Sequence, residues 1–207
     1  MARLSKRPLR TTTGARTQSM TSAYSIRLLG ANDAEGFVEH VIEHNQESGA
    51  DGDVIFMPYS RTEPYDKDKN IPIAQKRWST PMNTPGWRRC FAAFHGSKMV
   101  GHVELCGGLL RSDLHRVELG MGLVREHRRQ GLGTRLLEVS IEWLRAETDV
   151  VWLDLGVFAH NAPAIALYQS MGFVERGRTP DQYRVEGTHI ENINMSLYLD
   201  PECPWSL

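Results

Sequence analysis

The chain has 207 residues, of which 24 are basic and 25 acidic, and three cysteines. That length suits one domain with a real hydrophobic core, and no stretch long enough to cross a bilayer lacks both charges and helix breakers, which excludes a membrane-spanning helix. Cys90, Cys106 and Cys203 are far apart and match no zinc-ligand spacing, so a reduced, cytoplasmic protein is expected rather than a disulfide framework.

The charge is unevenly placed. Six basic residues and no acidic one precede Gly30, which leaves 18 against 25 and a balance of −7 for the rest. The stretch from Met1 to about Thr21 is rich in Arg, Ser and Thr and poor in apolar residues. It is expected to be a disordered basic tail, residues 1–21, ahead of one domain over 22–207. A start at Met20 would explain it as well. A transit peptide fits less well because the tail lacks an apolar face, and without interleaved aromatics it is not expected to bind nucleic acid. The acidic remainder is compatible with a cationic acceptor.

Tyr24–Leu29 alternates and predicts a short first strand. Gly30-Ala31-Asn32-Asp33 supplies turn and cap residues for a helix from Ala34 to Asn45, with Phe37, Val38, Val41 and Ile42 on one stripe. From Gln46 to Pro85 the chain is polar, with five prolines and a helical patch at Ile73–Trp78. A long irregular stretch in a compact domain is commonly a binding element, so part of the substrate site is expected here. Trp87–Phe94 and Met99–Cys106 read as a hairpin joined through His95-Gly96-Ser97-Lys98, and Val117–Leu123 as the next strand. An amphipathic helix is predicted over Gly131–Ala146, with Leu132, Leu136, Val139, Ile141 and Trp143 as apolar members. A strand at Val150–Val157, a helix at Asn161–Met171 and strands at Phe173–Gly177 and Ile190–Leu199 complete the order. The strand–helix–strand unit from Val117 to Val157 requires a parallel pair with a right-handed crossover, and antiparallel neighbours on both sides make the sheet mixed.

Between the Val117–Leu123 strand and the following helix lies Arg128-Arg129-Gln130-Gly131-Leu132-Gly133-Thr134. The first amides of a helix have no intrahelical partner and the helix dipole is positive there, so such a turn suits a phosphate. Glycines at 131 and 133 are expected to let a ligand approach the backbone. There is no Gly-Lys-Ser/Thr, and Leu136 stands where a dinucleotide fingerprint needs its third glycine. Alone, the pattern fits a tight turn with ordinary cap glycines equally well.

Two motifs together narrow this. Arg128-x-x-Gly131-x-Gly133, preceded by Leu123, resembles the central motif of the GNAT acetyltransferase superfamily. In some members a proline follows the strand where Arg125 stands here. The segment from Val157 through Asn161, Tyr168 and Gly172 to Phe173 resembles that family's second motif, in the proper order. The resemblance runs from about Trp87 to Leu199. It implies an α/β (α+β) GNAT fold, a mixed six- to seven-stranded sheet flanked by helices with a splayed central parallel pair. It also implies acetyl-CoA as co-substrate and no metal. By the same resemblance the diphosphate is gripped by Arg128, Arg129, Gln130, Gly131, Leu132, Gly133 and Thr134. The pantetheine arm pairs with Met121, Gly122 and Leu123 and touches Asn161, and Tyr168 lies by the cofactor sulfur. Glycines at 120 and 122 agree with close backbone approach.

Acyl transfer from a thioester to an amine needs a neutral amine, a donor for the oxyanion and an acceptable leaving group. Tyr168, two helical turns after Asn161, is the candidate acid. Val117, Leu119, Met121 and Leu123 share the core face of their strand, so Glu118 points the other way with Gly120 and Gly122 and is the candidate base. Asp154 is the second candidate, with His102 and Glu104 weaker, and His115 and His160 are expected at the surface. Acetyltransferases of ribosomal-protein N-terminal alanine resemble the chain through both motifs but carry a catalytic Glu where Gly156 stands here. The expected activity is acetylation of a primary amine of a small molecule or peptide through a ternary complex. A non-catalytic acetyl-CoA sensor of the same fold is the alternative, and exposed edge strands are compatible with a homodimer. His40-x-x-Glu43-His44 is the one competing motif, a pattern seen in zinc peptidases. The Glu39, Glu43, Asn45 and Glu47 around it predict a solvated helix face instead.

Overall fold

The computed structural model describes residues 23–200; the basic tail and Cys203 lie outside them. Strands β1 (Tyr24–Leu28), β2 (Arg88–His95), β3 (Lys98–Gly107), β4 (Arg116–Leu123), β5 (Trp152–Phe158), β6 (Val174–Val185) and β7 (Thr188–Tyr198) form one sheet in the order β1-β2-β3-β4-β5-β7-β6. Every neighbouring pair is antiparallel except β4 and β5. Helices α1 (Ala34–Glu47) and α2 (Lys67–Ser79) pack on one face of the sheet. Helices α3 (Leu132–Glu147) and α4 (Ala162–Ser170) pack on the other. No helix among the described residues is long and apolar enough to cross a membrane.

The alternation in β4 sorts its two faces as expected. Val117 and Leu119 are buried in the core beneath α3, with Met121 and Leu123 packed against it, while Glu118 and Gly120 are exposed on the α1–α2 side. The same division runs through β5, where Leu153, Leu155 and Val157 face that core.

Two expectations need correction. The helical patch at Ile73–Trp78 is the second half of α2, which begins at Lys67, ahead of Pro72. Asp66 caps it, accepting the Lys69 N–H at 3.1 Å, so the one amide that proline removes falls in the second turn of a well-started helix. Likewise the expected loop Thr179–His189 is a hairpin: β6 runs to Val185 and turns at Glu186 (φ 49°) and Gly187 (φ 79°) into β7. Gly177 and Pro180 each lie at a register shift in β6, the edge strand of the sheet, where bulges tolerate both residues.

Candidate active site

The parallel ladder between β4 and β5 is three pairs long: Arg116 with Trp152, Val117 with Leu153 and Glu118 with Asp154. Past it, β4 stays with β3 as far as Leu123, and β5 stays with β7 as far as Phe158. The two strands therefore separate, and the facing edges of Leu119–Leu123 and Leu155–Phe158 border a wedge. Such an edge offers amide donors and acceptors to a ligand that lies along it as a strand would.

The glycine-rich turn sits at the wide end of this wedge. Arg129 (φ 59°) and Gly131 (φ 73°) are both left-handed, and the first helical bond of α3 runs from the Arg135 N–H to the Gly131 carbonyl at 3.1 Å. The amides of Leu132, Gly133 and Thr134 thus precede the helical ladder at the positive end of a 16-residue helix. The two glycines have different reasons. At Gly131 a Cβ would meet open space, so the left-handed backbone is what calls for glycine. At Gly133 a Cβ would stand 2.9 Å from Met121 Cε and 3.1 Å from Leu167 Cδ2, so a side chain there meets the packing of α3 against β4 and α4 and requires those methyls to shift. Gly122 likewise differs from expectation: its Cβ position, 2.7 Å from His44 and His102 ring atoms, is taken by imidazoles. Gly120 does face open space.

Arg128 does not turn its charge toward the turn. Its Nε–H donates to the Leu123 carbonyl at 2.9 Å, and its two terminal nitrogens donate to Asp53 and Glu47, each at 2.8 Å. Gln130 is also occupied, accepting from the Tyr24 hydroxyl at 2.7 Å and donating to the Glu126 carbonyl. Arg129 is exposed beside the amides.

Tyr168 is buried on α4, with its ring edge-to-face on Phe173 and no hydrogen bond to its hydroxyl among the described residues. Burial pushes its phenol up to about 12, so it is a proton-bearing donor at neutral pH. Asn161 caps α4, accepting from the Ala164 N–H at 3.4 Å. On the opposite face of the sheet the candidate bases separate clearly. Asp154 is clamped by Arg116 at 2.6 and 2.8 Å and accepts from Ser196 at 2.6 Å. Glu104 is paired with Arg88 at 2.6 Å. His102 is half-buried against His40, with Nδ1 2.8 Å from His40 Nε2. Glu118 alone of the four is exposed and without an ion pair among the described residues. His115 and His160 are at the surface, the latter bonded to the Ile55 carbonyl at 2.7 Å.

The solvated face expected around His40 and His44 holds for Glu39 and Glu43 but not for Asn45, Glu47 or the two histidines. His40, His44 and Asn45 are buried, while Glu43 pairs with Lys98 outside. Burial, ahead of the neighbouring charges, pushes His40 down to about 4 and His44 to about 3. No group of three or more His, Cys, Asp or Glu among the described residues is arranged to hold a metal. Sequence reasoning missed Glu47 and Asp53, the partners of Arg128; the only signal was an acidic run in a stretch already marked as functional.

Residues 55–173, which contain the wedge, the turn and α4, match the acetyltransferase (GNAT) family. The chain belongs to that family. It is 25% identical over 179 residues to the putative ribosomal N-acetyltransferase YdaF of Bacillus subtilis, covering 84% of this chain and 90% of that one. It is 43% identical over 72 residues to the [ribosomal protein bS18]-alanine N-acetyltransferase of Salmonella typhimurium, which is 35% of this chain and 48% of that protein. Its fold is similar to that of a GNAT-family acetyltransferase from Streptococcus pneumoniae, with a TM-score of 0.69 and 24% identity over 84% of this chain and 99% of the other. The chain is thus an acyl-CoA-dependent acetyltransferase of that family.

Proposed function

We propose that the chain transfers an acetyl group from acetyl-CoA to a primary amine of a small molecule or peptide, by direct attack in a ternary complex. One observation carries this: the wedge, the amides at the start of α3 and the buried phenol of Tyr168 belong to elements that meet around β4. The diphosphate is placed on the amides of Arg129 to Thr134 and the pantetheine arm along Met121 to Leu123, near Asn161. Arg128 supports this site through its backbone and the Leu123 carbonyl rather than by its charge.

Glu118, the unpaired carboxylate on the α1–α2 side, takes a proton from the acceptor ammonium, directly or through a water. The neutral amine adds to the thioester carbonyl carbon, giving a tetrahedral oxyanion. The nitrogen then gives its second proton to solvent water, and collapse of the intermediate breaks the C–S bond and releases the coenzyme as thiolate. A thiol has a pKa of about 8.5, well below the raised phenol, so Tyr168 steadies the departing sulfur by donating a hydrogen bond and keeps most of its proton.

The acceptor is an amine of a class still to be chosen. The Salmonella relative is named for an alanine of a ribosomal protein, which favours a peptide amine. Against copying that specificity stands Gly156, where a Cβ would lie 2.9 Å from Asn192 Oδ1, so a larger residue requires Asn192 to move. Calorimetric titration with acetyl-CoA, followed by an amine and peptide screen that detects free thiol, tests the proposal. Binding with turnover on at least one amine is expected. No heat at millimolar acetyl-CoA removes the cofactor site, and binding without turnover on any amine leaves a coenzyme sensor.

A further inference from the structure

Between α1 and α2 the chain crosses the open end of the wedge as a strap and is fastened on both banks. On the β4 bank, Arg125 and Arg128 hold it. The Arg125 backbone N–H donates to both Glu47 carboxylate oxygens at 3.0 and 2.9 Å, and its guanidinium reaches Asp53, Asp51 and the carbonyls of Glu47 and Ala50. A proline at 125 could not make the first of these contacts. On the β5 bank, Ile55 packs with Phe158, Val185 and Ile190, and its carbonyl bonds His160. Farther along, the Ser60 hydroxyl and the Arg61 N–H donate to Glu186 in the β6–β7 turn at 3.0 and 3.1 Å.

The middle of the strap is equally well held. The ring of Phe56 lies 4.6 Å from that of His44 and 4.9 Å from the Arg128 guanidinium carbon. The amides of Phe56 and Met57 donate to Ser48 Oγ at 3.0 and 3.1 Å. Each of the three guanidinium nitrogens of Arg128 already donates to the protein, to Leu123, Asp53 and Glu47, so three of its five N–H groups are committed to the strap and the end of β4. The pair it forms with Glu47 keeps only 26% and 17% of side-chain exposure, so it is not one of the freely solvated pairs that contribute nothing.

We propose that Arg128 is a positioning residue that links the glycine-rich turn to the strap, so that coenzyme on the turn sets the acceptor mouth. It touches neither coenzyme nor acceptor. Its backbone begins the turn, its Nε–H fixes the Leu123 carbonyl at the end of β4, and its terminal nitrogens hold Glu47 and Asp53 on the strap side. A ligand that immobilises the turn thereby immobilises Asp53 and, through the stacked Phe56, the residues over the wedge. The linkage is reciprocal, because a strap fastened by the coenzyme must in turn hold the coenzyme more tightly. This inference rests on the diphosphate assignment of the preceding subsection.

The test is hydrogen exchange of the full chain at the Phe56 and Met57 amides, with and without CoA, alongside calorimetric CoA affinity. In the native protein CoA is expected to slow exchange at both amides tenfold or more. In Asp53→Asn that gain is expected to vanish, with CoA affinity falling by no more than the protection lost, and Asp53→Glu is expected to restore most of it. With an acceptor from the amine screen, Asp53→Asn is expected to raise acceptor KM several-fold at nearly constant kcat. Unchanged protection in a native protein that binds CoA overturns the inference. So does an Arg128→Met protein that loses CoA affinity a hundredfold while Asp53→Asn loses none, since Arg128 would then be a ligand. If the native protein binds no CoA at all, the diphosphate assignment itself has failed.

Discussion

Gly133 on α3 faces Met121 on β4 so closely that a Cβ on the glycine would stand 2.9 Å from the methionine Cε. The helix that presents the turn is seated on the strand that borders the wedge, and a side chain at 133 fits only if the Met121 methyl gives way.

Gly133→Ala makes the Met121 and Leu167 methyls give way, a strain offset by about 1 kcal/mol of helix propensity, so it is expected to change stability little and to weaken acetyl-CoA as α3 shifts from β4. Gly131→Ala, in open space but at φ 73°, is expected to cost about 1 kcal/mol of backbone strain. Denaturant melts and calorimetric Kd values on the two variants separate the effects. Unchanged acetyl-CoA affinity for Gly133→Ala would contradict a turn whose position depends on that contact.

Tyr168→Phe keeps the ring against Phe173 and removes a hydroxyl with no hydrogen bond among the described residues. Turnover is expected to fall tenfold or more with an unchanged melting temperature. Because the phenol is pushed up to about 12, the ratio of native to variant rates should stay constant from pH 6 to about 9. A steady-state pH series measures it, and an unaltered rate throughout would remove Tyr168 from the chemistry.

Glu118→Gln is expected to lower kcat/KM about a hundredfold near neutrality, within the usual range for a general base. The deficit should shrink as pH rises and the amine loses its own proton. Asp154→Asn is expected to act differently, loosening the Arg116 clamp and costing stability at every pH. A pH–rate profile for Glu118→Gln parallel to that of the native enzyme would shift the base elsewhere.

The buried imidazoles make stability depend on pH. Burial depresses His40 to about 4 and His44 to about 3, and carries His102 well below its ordinary value. Each binds a proton better in the unfolded chain, so its contribution is complete above about pH 6.5 and is lost as pH falls toward the folded value. Denaturation midpoints should fall between pH 7.5 and 5, with each histidine adding up to about 1.4 kcal/mol per pH unit to the slope. His44→Phe should flatten that slope, and a midpoint that holds steady down to pH 5 would count against neutral buried rings.

Much of this was legible in the sequence, because the features concerned are local. The alternation of Val117–Leu123, the Gly96-Ser97 hairpin and the Arg128–Gly133 spacing each report backbone geometry over a few residues. What escaped depends on contacts between distant segments. Nothing near His40 or His44 tells that β3 supplies His102 and β4 a glycine to bury them against. Nothing near Arg128 tells that its partners lie at Glu47 and Asp53. The length of β6 beyond Gly177 escaped for a related reason, since whether Gly177 and Pro180 end a strand or bulge it depends on the strand being at the sheet's edge.

The seam between β4 and β5 joins four strands on one side to three on the other through three residue pairs. With so short a stitch, the barrier to parting the two halves rests largely on α3, α4, the strap fastened to both banks and whatever fills the gap. A molecule lying there as an eighth strand works as a rivet as much as a reactant, and a spent one, on leaving, loosens the very joint that gripped it.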